Sequence, residues 1–228
     1  MGDVPVLTLL NKLDRLPQWL TISGGPEETM YQPDPGAVPT LGGAAPKLAA
    51  AAAIPNNFHP APNFIGKLES GEIFFDSSLE LDTDGWPDGE HAGDPDWQPD
   101  TSLRLPDHSS LDANTIPYFV LPLPPSWPAQ FGIQLGDYAA VVFGQKLAFA
   151  IFGDRGPRTK IGEGSIALLR RLGEERIRPD GTVRNAGMGP RVITIVFPGS
   201  GDLSDRVDQR MLVEAIDQKG SNLFNALK

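Results

Sequence analysis

Residues 138–152 read YAAVVFGQKLAFAIF. Two apolar runs, Tyr138–Phe143 and Leu147–Phe152, flank Gly144-Gln145. Glycine supplies the positive φ that a two-residue turn needs at its first position, so the stretch predicts a β-hairpin with a type II′ turn. Both runs are nearly continuous in apolar residues, as a strand covered on both faces requires. The hairpin sets the class: mainly β (α+β), with its neighbours read against it.

Upstream, Tyr118–Leu121 is a strand candidate stopped by Pro122. Asn63–Leu68 and Glu72–Asp76 are shorter candidates around Ser70-Gly71. Residues 82–114 are acidic and loop-like, with glycines and prolines throughout. Downstream, Ser165–Leu172 reads as a helix capped by Ser165 and ended by Gly173. Val192–Phe197 is a strand closed by Pro198-Gly199. Val207–Ile216 is the last helix candidate, with Val207, Met211, Ala215 and Leu212 expected inward. The pattern describes a small β-barrel with a few attached helices.

The N-terminal part differs. Residues 1–20 suggest a short amphipathic helix bearing Leu9, Leu10, Leu13 and Leu16 on one face. Residues 24–62 hold eight prolines among glycine and alanine and read as a linker. The expected division is therefore 1–62, an N-terminal segment and linker, and 63–228, the main domain.

The formal charge is −10 with 19 Lys+Arg, and no basic patch is visible. Phosphate binding needs clustered cations, so no nucleic acid is expected as partner. A polycation would be attracted. Cysteine is absent, which excludes disulfides, thiolate metal sites and a cysteine nucleophile. No apolar run reaches the ~18 residues of a membrane span. Asp3 and the short apolar stretch Val4–Leu10 do not read as a signal peptide. A monomer is expected, and localisation stays open.

Chemistry concentrates directly after the hairpin, in GDRGPRTKIGEGS, residues 153–165. Loops at strand ends are where scaffolds place reactive groups. Asp154 would leave the strand, and Glu163 would stand just before the next helix. Folded back, the loop would set two carboxyls across a cleft, as glycoside hydrolysis requires. The same residues also serve as turn formers and dipole partners. A second cluster runs Glu80-Leu81-Asp82-Thr83-Asp84-Gly85-Trp86. Its spaced acids resemble half of an EF-hand loop, but position twelve would be His91. The other reading is an acidic lip with an aromatic platform for a cationic sugar. His59, His91 and His108 lack zinc-ligand spacing. No metal and no cofactor are expected.

Five motifs in order resemble the fungal-type chitosanases, glycoside hydrolase family 75. They are Asp82-Thr83-Asp84-Gly85, Ile116-Pro117-Tyr118-Phe119-Val120-Leu121-Pro122, the hairpin, Gly153-Asp154, and Gly162-Glu163-Gly164-Ser165. The resemblance runs from about Asn63 to Phe197. It implies a double-psi-like barrel and inverting, internal cleavage of β-1,4-linked glucosamine polymers. It maps the two essential acids to Asp154 and Glu163, and turns Asp82 and Asp84 toward the substrate. Trp86 joins them as a substrate-binding candidate, while Asp137 of Gly136-Asp137 is implied to be structural. Fungal members carry cysteines that this chain lacks. The expected partner is chitosan or a related cationic polysaccharide, which suggests an extracellular site. Rival readings are another cell-wall polysaccharide, a non-catalytic carbohydrate-binding or scaffold barrel, and a calcium-dependent module on Glu80–Glu90.

Overall fold

The computed structural model describes residues 21–22, 47–51, 64–68, 70–124, 127–144, 146–184, 187–202 and 208–227. The helix expected within residues 1–20 lies outside them, as does Val207. The strands in chain order are β1 Thr21–Ile22, β2 Lys47–Ala51, β3 Phe64–Leu68, β4 Ile73–Asp82, β5 Tyr118–Pro122, β6 Tyr138–Phe143, β7 Lys146–Gly156, β8 Glu163–Ser165 and β9 Met188–Val196. The helices are α1 Trp127–Gln130, α2 Ile166–Arg171 and α3 Gln209–Ala226.

The two strands of the hairpin form as read. β6 and β7 pair antiparallel from Tyr138↔Ile151 to Phe143↔Lys146, and Gly144 turns with φ 57°. Around it the sheet runs β4-β8-β5-β7-β6-β9, and β9 pairs back onto β4 to close a six-stranded barrel. Closure removes the free edges that six strands would otherwise expose. The architecture is the expected mainly β small barrel. Within the stretch read as linker, β2 pairs antiparallel with β3, and β1 pairs parallel with β2.

Two connections matter for the site. β5 and β7 pair in parallel, and β8 fits between β4 and β5, parallel to the first and antiparallel to the second. The register of β5 with β7 is broken once: Phe119↔Phe152 is followed by Val120↔Asp154. Gly153 is the extra residue. A side chain there would meet Tyr118 Cβ at 2.5 Å and Leu111 Cδ1 at 2.9 Å, so glycine is required by close approach. The bulge reverses the alternation of β7 beyond it.

Ser165 caps α2 by accepting from Leu168 N, and Gly173 follows the helix with φ 91°. Ile166, Ala167, Leu168 and Leu169 are all buried, so α2 is sunk into the protein rather than laid on it. α3 differs from expectation. It runs past Ile216 to Ala226, and its buried residues are Leu212, Ile216, Gly220 and Phe224. Met211 is 41% exposed and Ala215 only half-buried, so the inward face is rotated from the one expected. Gly220 explains both points: the ring of Phe149 in β7 occupies the space a side chain would take there. Glycine mid-helix is poor for propensity but allows this approach.

Asp137 is buried and takes Gln134 N at 2.8 Å and Gly201 N at 3.0 Å. It ties the turn before β6 to the turn after β9.

Candidate active site

The site is built on one face of four neighbouring strands. Paired residues of a sheet share a face, so the register defines a row: Glu80 on β4, Glu163 on β8, Val120 on β5 and Asp154 on β7. Phe119, Gly164 and Phe152 form the next row and face the other way, with Phe119 and Phe152 stacked at 5.6 Å. Without the bulge at Gly153, Asp154 would share the face of Phe152. The sequence-based expectation that Asp154 leaves the strand is corrected here: β7 continues to Gly156, and Asp154 stands within it.

Asp154 is 5% exposed. Its Oδ1 accepts three bonds: from Ser102 N at 2.8 Å, Ser102 Oγ at 2.6 Å and Arg155 N at 2.7 Å. One oxygen is thereby fixed in place by the acidic loop and by the next peptide of β7.

Glu163 is positioned differently. Gly162 before it has φ 88°, and a side chain there would strike Ser78 O. Gly162 O in turn accepts from Glu80 N at 2.7 Å, locking β8 to β4. Lys160 Nζ lies 2.6 Å from Glu163 Oε1 and 2.8 Å from Glu80 Oε2. Glu163 is 12% exposed and Glu80 38%, so Glu163 is the desolvated partner of the two. Its Oε2 reaches over Val120 toward Gly156, where an added Cβ would stand 2.6 Å away. Burial pushes the Glu163 carboxyl above the ordinary range, Lys160 opposes this, and Glu80 and Asp154 add to the rise.

The acidic loop brings Asp82 and Asp84 to the same place. Asp82 Oδ1 accepts from Asp84 N at 2.8 Å and from the Tyr118 hydroxyl at 3.1 Å. Asp84 Oδ1 accepts from Gln98 N at 2.7 Å. Burial first, then Asp84 and Asp154, raise Asp82 well above the carboxylate range. Asp84 is raised to about 7 by burial, against the bond from Gln98 and helped by the nearby Asp154. Asp82, Asp84 and Asp154 offer oxygens within 4.8 Å of one another, the one metal-capable grouping among the described residues.

These residues line a cleft of about 490 Å³. Its acids are Glu80, Asp82, Asp84, Asp94, Asp96, Asp154 and Glu163, against Arg155 and Lys160. Such a concentration attracts a cationic ligand. Trp86 is not part of it. Its ring is 4% exposed beneath the loop, and it borders a second cavity together with Trp97. Sequence reasoning named Glu80 only as the start of the acidic cluster, and did not single out Lys160, Ser102 or Tyr118 as members of the site. Lys160, three residues before Glu163, carried a local signal, and Tyr118 stood in a family motif; Ser102 carried none.

A closed barrel whose wall bears an acidic cleft with buried, opposed carboxyls has the equipment of a glycoside hydrolase. Residues 79–224 match the family model described as fungal chitosanase of glycosyl hydrolase group 75, and the chain belongs to that family. The match starts later than Asn63 and extends beyond Phe197 through most of α3. No curated protein matches the chain. No helix among the described residues is long and apolar enough to cross a membrane.

Proposed function

We propose that the protein is an endo-acting chitosanase that cleaves β-1,4 linkages with inversion, with Glu163 as general acid and Asp154 as general base. Family membership supports a chitosan-acting glycoside hydrolase. The observation that carries the finer reading is the shared row. Asp154 and Glu163 flank Val120, each one strand away.

In this reading Glu163 gives its proton to the glycosidic oxygen, and the bond from that oxygen to C1 breaks. A water held by Asp154 attacks C1 from the opposite side and passes its proton to Asp154. The raised proton affinity of Glu163 suits the acid role. The three donors on Asp154 Oδ1 suit a carboxylate that must accept. Asp84, with Asp82 behind it, meets the ammonium group of the sugar at the cleft wall. Trp86 supports the loop from below.

The test is reducing-end release from chitosan of low and high acetylation by wild type, Asp154→Asn and Glu163→Gln, each checked for folding. Both variants should lose activity by about 10²-fold or more. A wild type that leaves both chitosans intact would overturn the substrate; activity surviving both substitutions would overturn the residues. A chelator should leave the rate unchanged, which separates this reading from a calcium-dependent module.

A further inference from the structure

Glu163 is not alone in its row. Glu80 stands beside it at the same register of the adjoining strand, and a single ammonium, Lys160 Nζ, joins the two carboxylates at 2.6 and 2.8 Å. Building on the proposed acid role of Glu163, we propose that Lys160 and Glu80 act as a positioning pair. The lysine holds Oε1 and leaves Oε2 to face the sugar, while Glu80 takes up part of the lysine's charge.

The geometry distinguishes the two oxygens of Glu163. Oε1 is in contact with a cation and is the unfavourable place for a proton. Oε2 is the oxygen turned away from this 2.6 Å contact, extending over Val120 toward Gly156, on the side of β7 that carries Asp154. The transferable proton is therefore directed to Oε2, on the side of β7. Lys160 alone would hold Glu163 strongly in its charged form. Glu80 competes for the same ammonium and adds negative charge of its own, so an acid can still be protonated beside a lysine.

The charged groups facing Glu163 come from three directions. β4 contributes Glu80 and Asp82, β7 contributes Asp154 and Arg155, and the turn before β8 contributes Lys160. β5 presents Val120 between the two acids. Lys160 lowers the proton affinity of Glu163, whereas Glu80 and Asp154 raise it.

The sign of each change follows. A general acid works while protonated, so activity is lost as pH rises through its titration. In Lys160→Met the opposing cation is gone, and the alkaline limb should move to higher pH. In Glu80→Gln the lysine serves Glu163 alone, and the same limb should move to lower pH. Lys160→Arg keeps the cation and should keep the limb near that of wild type. With Oε1 released, Lys160→Met should also lower kcat on the order of tenfold, with KM changed less. A merely structural role would lower activity in both variants without opposed shifts.

The experiment is the pH dependence of chitosan cleavage by the full chain and these three variants. It is paired with titration of the Glu163 carboxyl by ¹³C NMR, the resonance assigned by its loss in Glu163→Gln. Opposed movement of the Glu163 titration, up in Lys160→Met and down in Glu80→Gln, supports the pair; movement in one direction only, or none, overturns it. The titration needs no turnover, so the pair is decided even if chitosan is not cleaved. An inactive wild type counts against the chitosanase reading alone. Opposed titrations with unmoved activity limbs would overturn the role of Glu163 as the acid that the pair serves.

Discussion

Asp154 and Glu163 are the two neighbours of Val120 across the sheet, one on β7 and one on β8. Their backbones are thus two strand spacings apart, roughly 9–10 Å. Their side chains rise from the same face, and a carboxyl separation of roughly 6.5–9.5 Å leaves room for a water in an inverting reaction.

Inversion has a direct readout. Proton NMR of early products from chitosan should show the α-anomer first, with the β-anomer appearing only by mutarotation. Initial β-anomer would mean retention, for which the carboxyls must stand roughly 5–5.5 Å apart.

Gly153→Ala tests the bulge. The added methyl lies 2.5 Å from Tyr118 Cβ and 2.9 Å from Leu111 Cδ1. The expected cost is about 3 kcal/mol of stability. Because Asp154 is aimed by this residue, kcat should fall on the order of 10²-fold even at temperatures where the variant is folded. Denaturant unfolding and steady-state kinetics measure the two effects separately.

Asp84 links stability to pH. Its folded-state value of about 7 exceeds the ordinary 3.8, so the native state binds the proton more tightly than the unfolded chain. The resulting stability is full below about pH 4 and is lost as pH rises through 7. Asp84 is partly open to solvent, which reduces the effect to about 2 kcal/mol. Asp82 acts in the same direction. Thermal unfolding should show Tm falling between pH 4 and pH 8, and Asp84→Asn should flatten that slope.

Ser165→Ala removes more than a cap. Ser165 Oγ accepts from Leu168 N and Tyr118 N, both at 3.1 Å, and donates to Ile116 O at 2.7 Å. The group is fully buried, so the Tyr118 amide would be left without a partner. A loss of about 2–4 kcal/mol is expected in chemical denaturation.

The parts of this fold that were legible in the sequence were those with long, uniform patterns. The β6–β7 hairpin could be read because six apolar residues on either side of Gly144-Gln145 admit few other structures. The pair Asp154 and Glu163 stood out as acids in a glycine-rich stretch, and their motifs pointed to the family. β8 was hidden because three residues, Glu163–Ser165, are too few for alternation to show. The bulge at Gly153 was hidden because only the register with β5 reveals it. Trp86 looked like a platform because sequence shows an aromatic ring but not which way it turns. In α3 the polar residues and Gly220 after Ile216 concealed a continuing helix, since its packing depends on Phe149, a residue far away in the chain.

The short strand β8 has a consequence for time. Its three residues carry the proposed acid, Glu163, and pair with β4 and β5, which the chain has left far behind by the time it reaches them. β4 is in turn held by β9, which comes later still. Contacts this distant in sequence form slowly. The hairpin can assemble early from neighbours, but a half-folded molecule has no opposed carboxyls. Under the proposed assignment, activity is expected to return late in refolding, once the ring of strands is complete.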